Sequence, residues 1–149
     1  MGPRILYGVF RTRPITEDCY RIPNYDRYRN GIKKVFNAMT FADKQMTRFP
    51  KGVKQMFNED IRFQEVSDAI QRYHSGIAHK FYVGIGHYLQ YLESQILIKV
   101  LFELKDLGIH ALPIHDAVVV GKAWVDMSRK LMEQVFLDMT NVESWVHVE

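Results

Sequence analysis

The chain has 149 residues, 47% of them apolar, and a formal net charge of +3 from 20 Lys and Arg against 17 Asp and Glu. This is the size of one domain with material for a core, and it excludes collagen-like, disulfide-stapled and intrinsically disordered classes. With Cys19 as the sole cysteine, no internal disulfide can form, so a reducing, cytoplasmic setting is expected.

The opening, Arg4 to Phe10, reads as a short apolar segment with no signal-peptide pattern, and Pro14 and Pro23 mark the loop that follows. From Arg4 to Lys54 there are twelve Lys or Arg against four Asp or Glu. Such an excess suits either a phosphate-rich partner or a solvated basic face. Asp26 to about Lys44 is helical in pattern, because Tyr28, Ile32, Val35, Phe36 and Met39 recur at i, i+4, i+7, i+8 and i+11. Gly31 inside this helix costs roughly 1 kcal/mol relative to alanine. Pro50-Lys51-Gly52 breaks the pattern, and a second helix is expected from Val53 to about His74. Gly76, Gly84 and Gly86 then punctuate an irregular stretch.

The clearest helix runs from Leu89 to Leu107, with Leu92, Ile96, Val100, Leu104 and Leu107 in a stripe that Leu97 and Leu101 widen. Lys99 and Glu103 interrupt it, so no membrane span is expected. Gly108 stands where a left-handed cap would end it. Beyond the cap, Ile109–Ile114 and Ala117–Val120 are β-prone runs on either side of His115-Asp116. An ionised Asp among such neighbours is costly unless paired, metal-bound or at an exposed turn. A tight hairpin with His115 and Asp116 at its tip is the simplest solution. Trp124 to Thr140 returns to helix, and the tail from Val142 ends in an expected edge strand, Trp145-Val146-His147-Val148. The fold class is α+β, a small antiparallel sheet with helices packed beside it.

Two groups of residues carry chemistry. Asp116 at a hairpin tip could present a carboxylate to a divalent metal; the alternative is an ordinary turn Asp beside a hydrogen-bonded His115. Arg29, Lys33, Asn37 and Phe41, four apart, stay within roughly 120° of one helix face. Arg29 and Lys33 could grip adjacent phosphates and Phe41 could receive a base. The alternative is a solvated basic face ending near a core Phe. His74, His79, His87 and His110 have no mutual metal-ligand spacing and read as structural, and the Met residues as core filling.

The order of these motifs resembles the family A polymerases, including the single-subunit phage-type RNA polymerases. Their motif B helix reads Arg, three residues, Lys, seven residues, Tyr-Gly; Arg29, Lys33 and Phe41-Ala42 meet that spacing, with Phe and Ala in place of Tyr and Gly. Motif C is a His-Asp pair in a hairpin after a helix and a Gly, as in Leu112-Pro113-Ile114-His115-Asp116 after Gly108. Arg4-Ile5-Leu6 is similar to the end of motif A, Asp18-Cys19-Tyr20 to an Asp-Pro-Tyr element of phage and mobile-element relatives, and Leu89 to Ser94 to the opening of the helix before motif C. The resemblance covers about residues 3 to 120. It implies a single fingers-and-palm piece, fingers-like over about 24–80 and palm-like over 1–12 and 85–149.

The resemblance also implies roles in DNA replication or a related template-directed synthesis. Asp116 would hold magnesium, Arg29 and Lys33 would bind the nucleoside triphosphate, and Lys33 would protonate the leaving pyrophosphate. Phe41 would stack on the nascent base pair and Asn37 would face the sugar. His115 would touch the primer-terminal nucleotide or serve as a turn histidine, and Arg4 would contact a phosphate or close a salt bridge. The motif A aspartate falls before Met1 and the usual glutamate position is Gly2. A truncated or mis-started frame, or a preceding polypeptide segment supplied otherwise, is therefore expected, with little nucleotide addition by the chain as written. If extension nevertheless occurs, Asp18 is the candidate second carboxylate. Two alternatives stand beside this: an inactive, nucleic-acid-binding remnant of the same fold, and a metal-dependent phosphohydrolase of the helical His-Asp family.

Overall fold

The computed structural model describes residues 18–149, so Arg4, the Arg4–Phe10 run and the palm-like assignment of residues 1–12 lie outside the described residues. Helices and one two-stranded antiparallel sheet make the fold α+β, as expected. The chain forms two compact units, Met1–Tyr88 and Leu89–Glu149. No helix among the described residues is long and apolar enough to cross a membrane.

In the first unit, a turn closed by Arg21 N–H to Asp18 carbonyl leads through a 3-10 turn at Asp26–Tyr28 into helix α1, Arg29–Phe41. The expected apolar stripe is its buried face: Ile32, Val35, Phe36 and Met39 are essentially inaccessible. Gly31 is required by packing, because a Cβ there would lie 2.7 Å from two carbons of the Phe57 ring. α1 ends earlier than its pattern suggests, with Ala42 extended. Its last carbonyls are taken up by the following chain, Met39 accepting from Tyr82 N–H and Ala42 from Gly84 N–H.

The expected helix from Val53 to His74 is broken in two. A 3-10 turn occupies Lys54–Met56, and helix α2 spans only Phe63–Tyr73. Between them the Lys54 ammonium donates to the exposed carbonyls of Asn58, Glu59 and Ile61, giving the turn backbone partners that a helix would otherwise have supplied. Tyr28, Phe49, Phe57 and Phe63 pack ring to ring over this turn. The irregular stretch after His74 contains a 3-10 segment, Ser75–Lys80, and helix α3, Ile85–Asp106, begins four residues before the expected Leu89.

In the second unit, Ile96, Val100 and Leu104 of α3 are buried while Leu107 is exposed. The Gly108 cap forms: Gly108 N–H donates to Lys105 carbonyl and Ile109 N–H to Leu104 carbonyl. Strands β1, Ala111–Ile114, and β2, Ala117–Val120, pair antiparallel with Ala111 opposite Val120 and Ile114 opposite Ala117. Their register puts Leu112, Ile114, Ala117 and Val119 on one face, all exposed. Helix α4, Val125–Thr140, follows. The tail is not the edge strand expected; it folds back on α4, with Val146 N–H donating to the Glu133 carboxylate, which also meets Arg129.

Inside the first unit His74 is fully buried, donates Nε2–H to the Cys19 carbonyl at 2.8 Å and packs edge-on to Phe36. Burial pushes the imidazole down from 6.5 to about 4, against the opposing pull of the Cys19 carbonyl. The unfolded chain therefore binds the extra proton first. Stability is full above pH 6.5 and falls as pH drops from 6.5 towards 4, by about 3 kcal/mol over that window. Denaturant melts at pH 7, 5.5 and 4.5 should show this loss, and His74→Gln should flatten it; an unchanged slope in the variant would assign the acid sensitivity elsewhere.

Candidate functional site

The first unit brings together Asp18, Tyr20, Arg29 and Lys33. Arg29 begins α1, where the helix dipole disfavours a cation, and the Asp18 carboxylate offsets it by accepting from Arg29 Nε. Asp18 is itself fixed: its other oxygen accepts the Tyr20 N–H at 3.0 Å. The Arg29 hydrogen bond, more than the Tyr20 amide or nearby charges, holds the Asp18 carboxyl below its usual range. With both oxygens engaged within the first unit, Asp18 is poorly suited to be the second metal carboxylate.

Tyr20 separates core from charge. Its ring meets Phe36 edge to face at 5.7 Å, while Arg29 and Lys33 lie 5.6 and 5.8 Å from its centroid. Burial pushes the phenol up to about 12, so it stays protonated. Cations over an aromatic face are held by the ring quadrupole without being neutralised. Lys33 makes no ion pair among the described residues and is exposed, as is Asn37 one turn on.

Phe41, at the end of the strip, is 39% exposed. One side of its ring is seated against the start of α3, with His87 edge-on at 5.5 Å. The close approach depends on Gly86, since a Cβ there would lie 2.5 to 2.7 Å from three ring atoms of Phe41. All four residues of the expected ladder therefore share one accessible strip, opposite the buried stripe.

In the second unit, His115 and Asp116 form the two-residue turn of the hairpin and are both exposed. His115 has φ of 55°, a conformation uncommon for a residue with a side chain. Asp116 stands on a turn rather than in a helix, unlike the bundle that the hydrolase family implies. Glu93 on α3, which sequence reasoning had not singled out as a site residue, is half-buried. Its carboxyl is raised first by burial and further by the negative charge of Asp116. The only sequence signal for this was the Leu89–Ser94 segment in which it lies. Among the described residues no three His, Cys, Asp or Glu side chains gather as a metal-ligand group. Asp116 is thus an exposed turn carboxylate with a second carboxylate, Glu93, close enough for their charges to interact. A groove of about 380 Å³ beside α4, lined by Lys130, Leu137, Glu143 and Trp145 among others, contains none of the expected site residues.

Comparison with family models, with curated proteins and with solved structures finds no match to this chain.

Gly86→Ala should drive its new methyl into the Phe41 ring and destabilise the protein by about 1–3 kcal/mol. Chemical denaturation checks this; a neutral effect would mean that Phe41 is not held against α3.

Proposed function

We propose that the chain provides fingers-like and palm-like elements of a family A-like, template-directed nucleotidyltransferase. Its ligands are a nucleoside triphosphate, primer-template nucleic acid and magnesium. The observation that carries this reading is the accessible strip on α1: Arg29 and Lys33 one turn apart over one tyrosine ring, continued by Asn37 and Phe41.

A triphosphate presents adjacent anionic groups about as far apart as side chains one helical turn from each other. Arg29 offers a planar fork to one phosphate and Lys33 a point charge to the next. Lys33 also carries the proton that a leaving pyrophosphate needs. Phe41 is exposed enough to meet a base, and its contacts with His87 and Gly86 hold the ring in one orientation. Asn37 lies between phosphate and base along the strip, where a sugar would fall. In the second unit, Asp116 is the hard oxygen ligand on an exposed turn, and His115 beside it would meet the nucleotide at the primer terminus. Magnesium held by Asp116 would supply positive charge to a phosphate bound at that turn.

Binding of a labelled nucleoside triphosphate over a salt series tests the strip. Arg29→Ala with Lys33→Ala should weaken that binding and flatten its salt slope, two charge-assisted phosphate contacts being lost. An unchanged slope would contradict the assignment. Asp116→Asn should weaken magnesium binding by the full chain, read by titration with the metal ion alone, and leave magnesium-free triphosphate affinity intact. Primer extension in the same buffer separates catalysis from binding alone: little extension is expected of the chain as written, and extension that survives Asp116→Asn would overturn the metal ligand.

A further inference from the structure

Resting on the reading above, we propose that Asp18 is a positioning residue that aims the free end of the Arg29 guanidinium at a triphosphate. A guanidinium has five N–H donors, one on Nε and four on the two terminal nitrogens. Asp18 takes the Nε donor. No partner for the terminal nitrogens is found among the described residues. The pair is therefore made through one edge of the guanidinium, and the opposite end, the fork that matches two phosphate oxygens, is left open.

Three features make this an aiming device instead of a simple neutralising pair. First, Asp18 is held independently of Arg29, because the Tyr20 N–H fixes its second oxygen. Second, the guanidinium carbon lies 5.6 Å from the Tyr20 ring centroid, so the ring face attracts the cation from one side. Third, the same ring carries Lys33 one turn along α1, so the open fork and the ammonium are registered to each other by one rigid side chain. Arg21, Arg29 and Lys33 outnumber Asp18 here, and the site keeps a cationic excess.

The sign of one substitution tests it. Removing a carboxylate beside an anion site should tighten anion binding if charge alone mattered; loss of aim should weaken it. Titration of the full chain with inorganic tripolyphosphate, and separately with a nucleoside triphosphate, gives the affinities. Asp18→Ala is expected to weaken tripolyphosphate binding about tenfold, the scale of one charge-assisted hydrogen bond. Asp18→Asn has one acceptor oxygen for two donors, the Arg29 Nε–H and the Tyr20 N–H, and should weaken binding by less than Asp18→Ala does. Arg29→Lys keeps the charge but has no fork and should weaken binding as Asp18→Ala does. Asp18→Asn serves if Asp18→Ala fails to fold, and binding by it as tight as the parent's or tighter would overturn the positioning role. Tighter or equal binding by Asp18→Ala, with Arg29→Ala still weakened, would overturn the positioning role and leave the phosphate strip standing. Affinity unchanged in Arg29→Ala and Lys33→Ala alike would remove the strip itself.

Discussion

A buried, neutral imidazole ties the proposed phosphate-binding face of the first unit to its core. His74 reaches across 55 residues to the Cys19 carbonyl, and the residues on either side of Cys19 are the ones that organise the cations. Leaving such a ring unpaired would cost about 1–3 kcal/mol, so the backbone at residue 19 has little freedom to drift. Asp18 then faces Arg29, and Tyr20 lies under Arg29 and Lys33. One hydrogen bond from the end of α2 thereby sets the directions of two side chains on α1.

Magnitudes show where the value of the Asp18–Arg29 pair lies. The two side chains are 30% and 41% exposed, and ion pairs at that exposure contribute little to stability, about 0–1 kcal/mol. The Tyr20–Phe36 and Phe36–Phe81 edge contacts and the buried aliphatic stripe of α1 carry the packing instead. What the pair supplies is direction: it holds a cation at a helix N-terminus, where the dipole is unfavourable to it, in one orientation. The second unit solves a related problem differently. Its apolar strands cannot bury a carboxylate cheaply, and the register of Ile114 with Ala117 lifts His115 and Asp116 onto an exposed turn.

Much of this was legible in the sequence wherever one local pattern decided the outcome. The apolar period of α1, the Gly108 cap and the two β-prone runs around His115-Asp116 each depend on neighbours within a few residues, and each formed as expected. The misses came from contacts distant in sequence or from competing backbone partners. Nothing in the spacing from Val53 to His74 announced that the Lys54 ammonium would collect three carbonyls and hold a turn open. The β-prone tail found the Glu133 carboxylate in place of a strand. Gly31 and Gly86 read as helix weaknesses or punctuation, whereas each makes room for an aromatic ring, Phe57 and Phe41. In the candidate site, the strip of Arg29, Lys33, Asn37 and Phe41 was visible from four-residue spacing. The partnership of Asp18 with Arg29 was not, because an ion pair eleven residues apart through a loop leaves no periodic trace.

On the proposed reading, the α1 strip is a phosphate site whose arginine is held from behind. Side-chain NMR of Arg and Lys nitrogens during titration with a nucleoside triphosphate tests it most directly. The terminal nitrogens of Arg29 and the Lys33 ammonium should shift on binding, the Phe41 ring protons should shift with them, and Arg29 Nε should keep its Asp18-bonded resonance. Shifts confined to other cations such as Arg48, Lys51 or Arg62, with Arg29 and Lys33 unmoved, would contradict it.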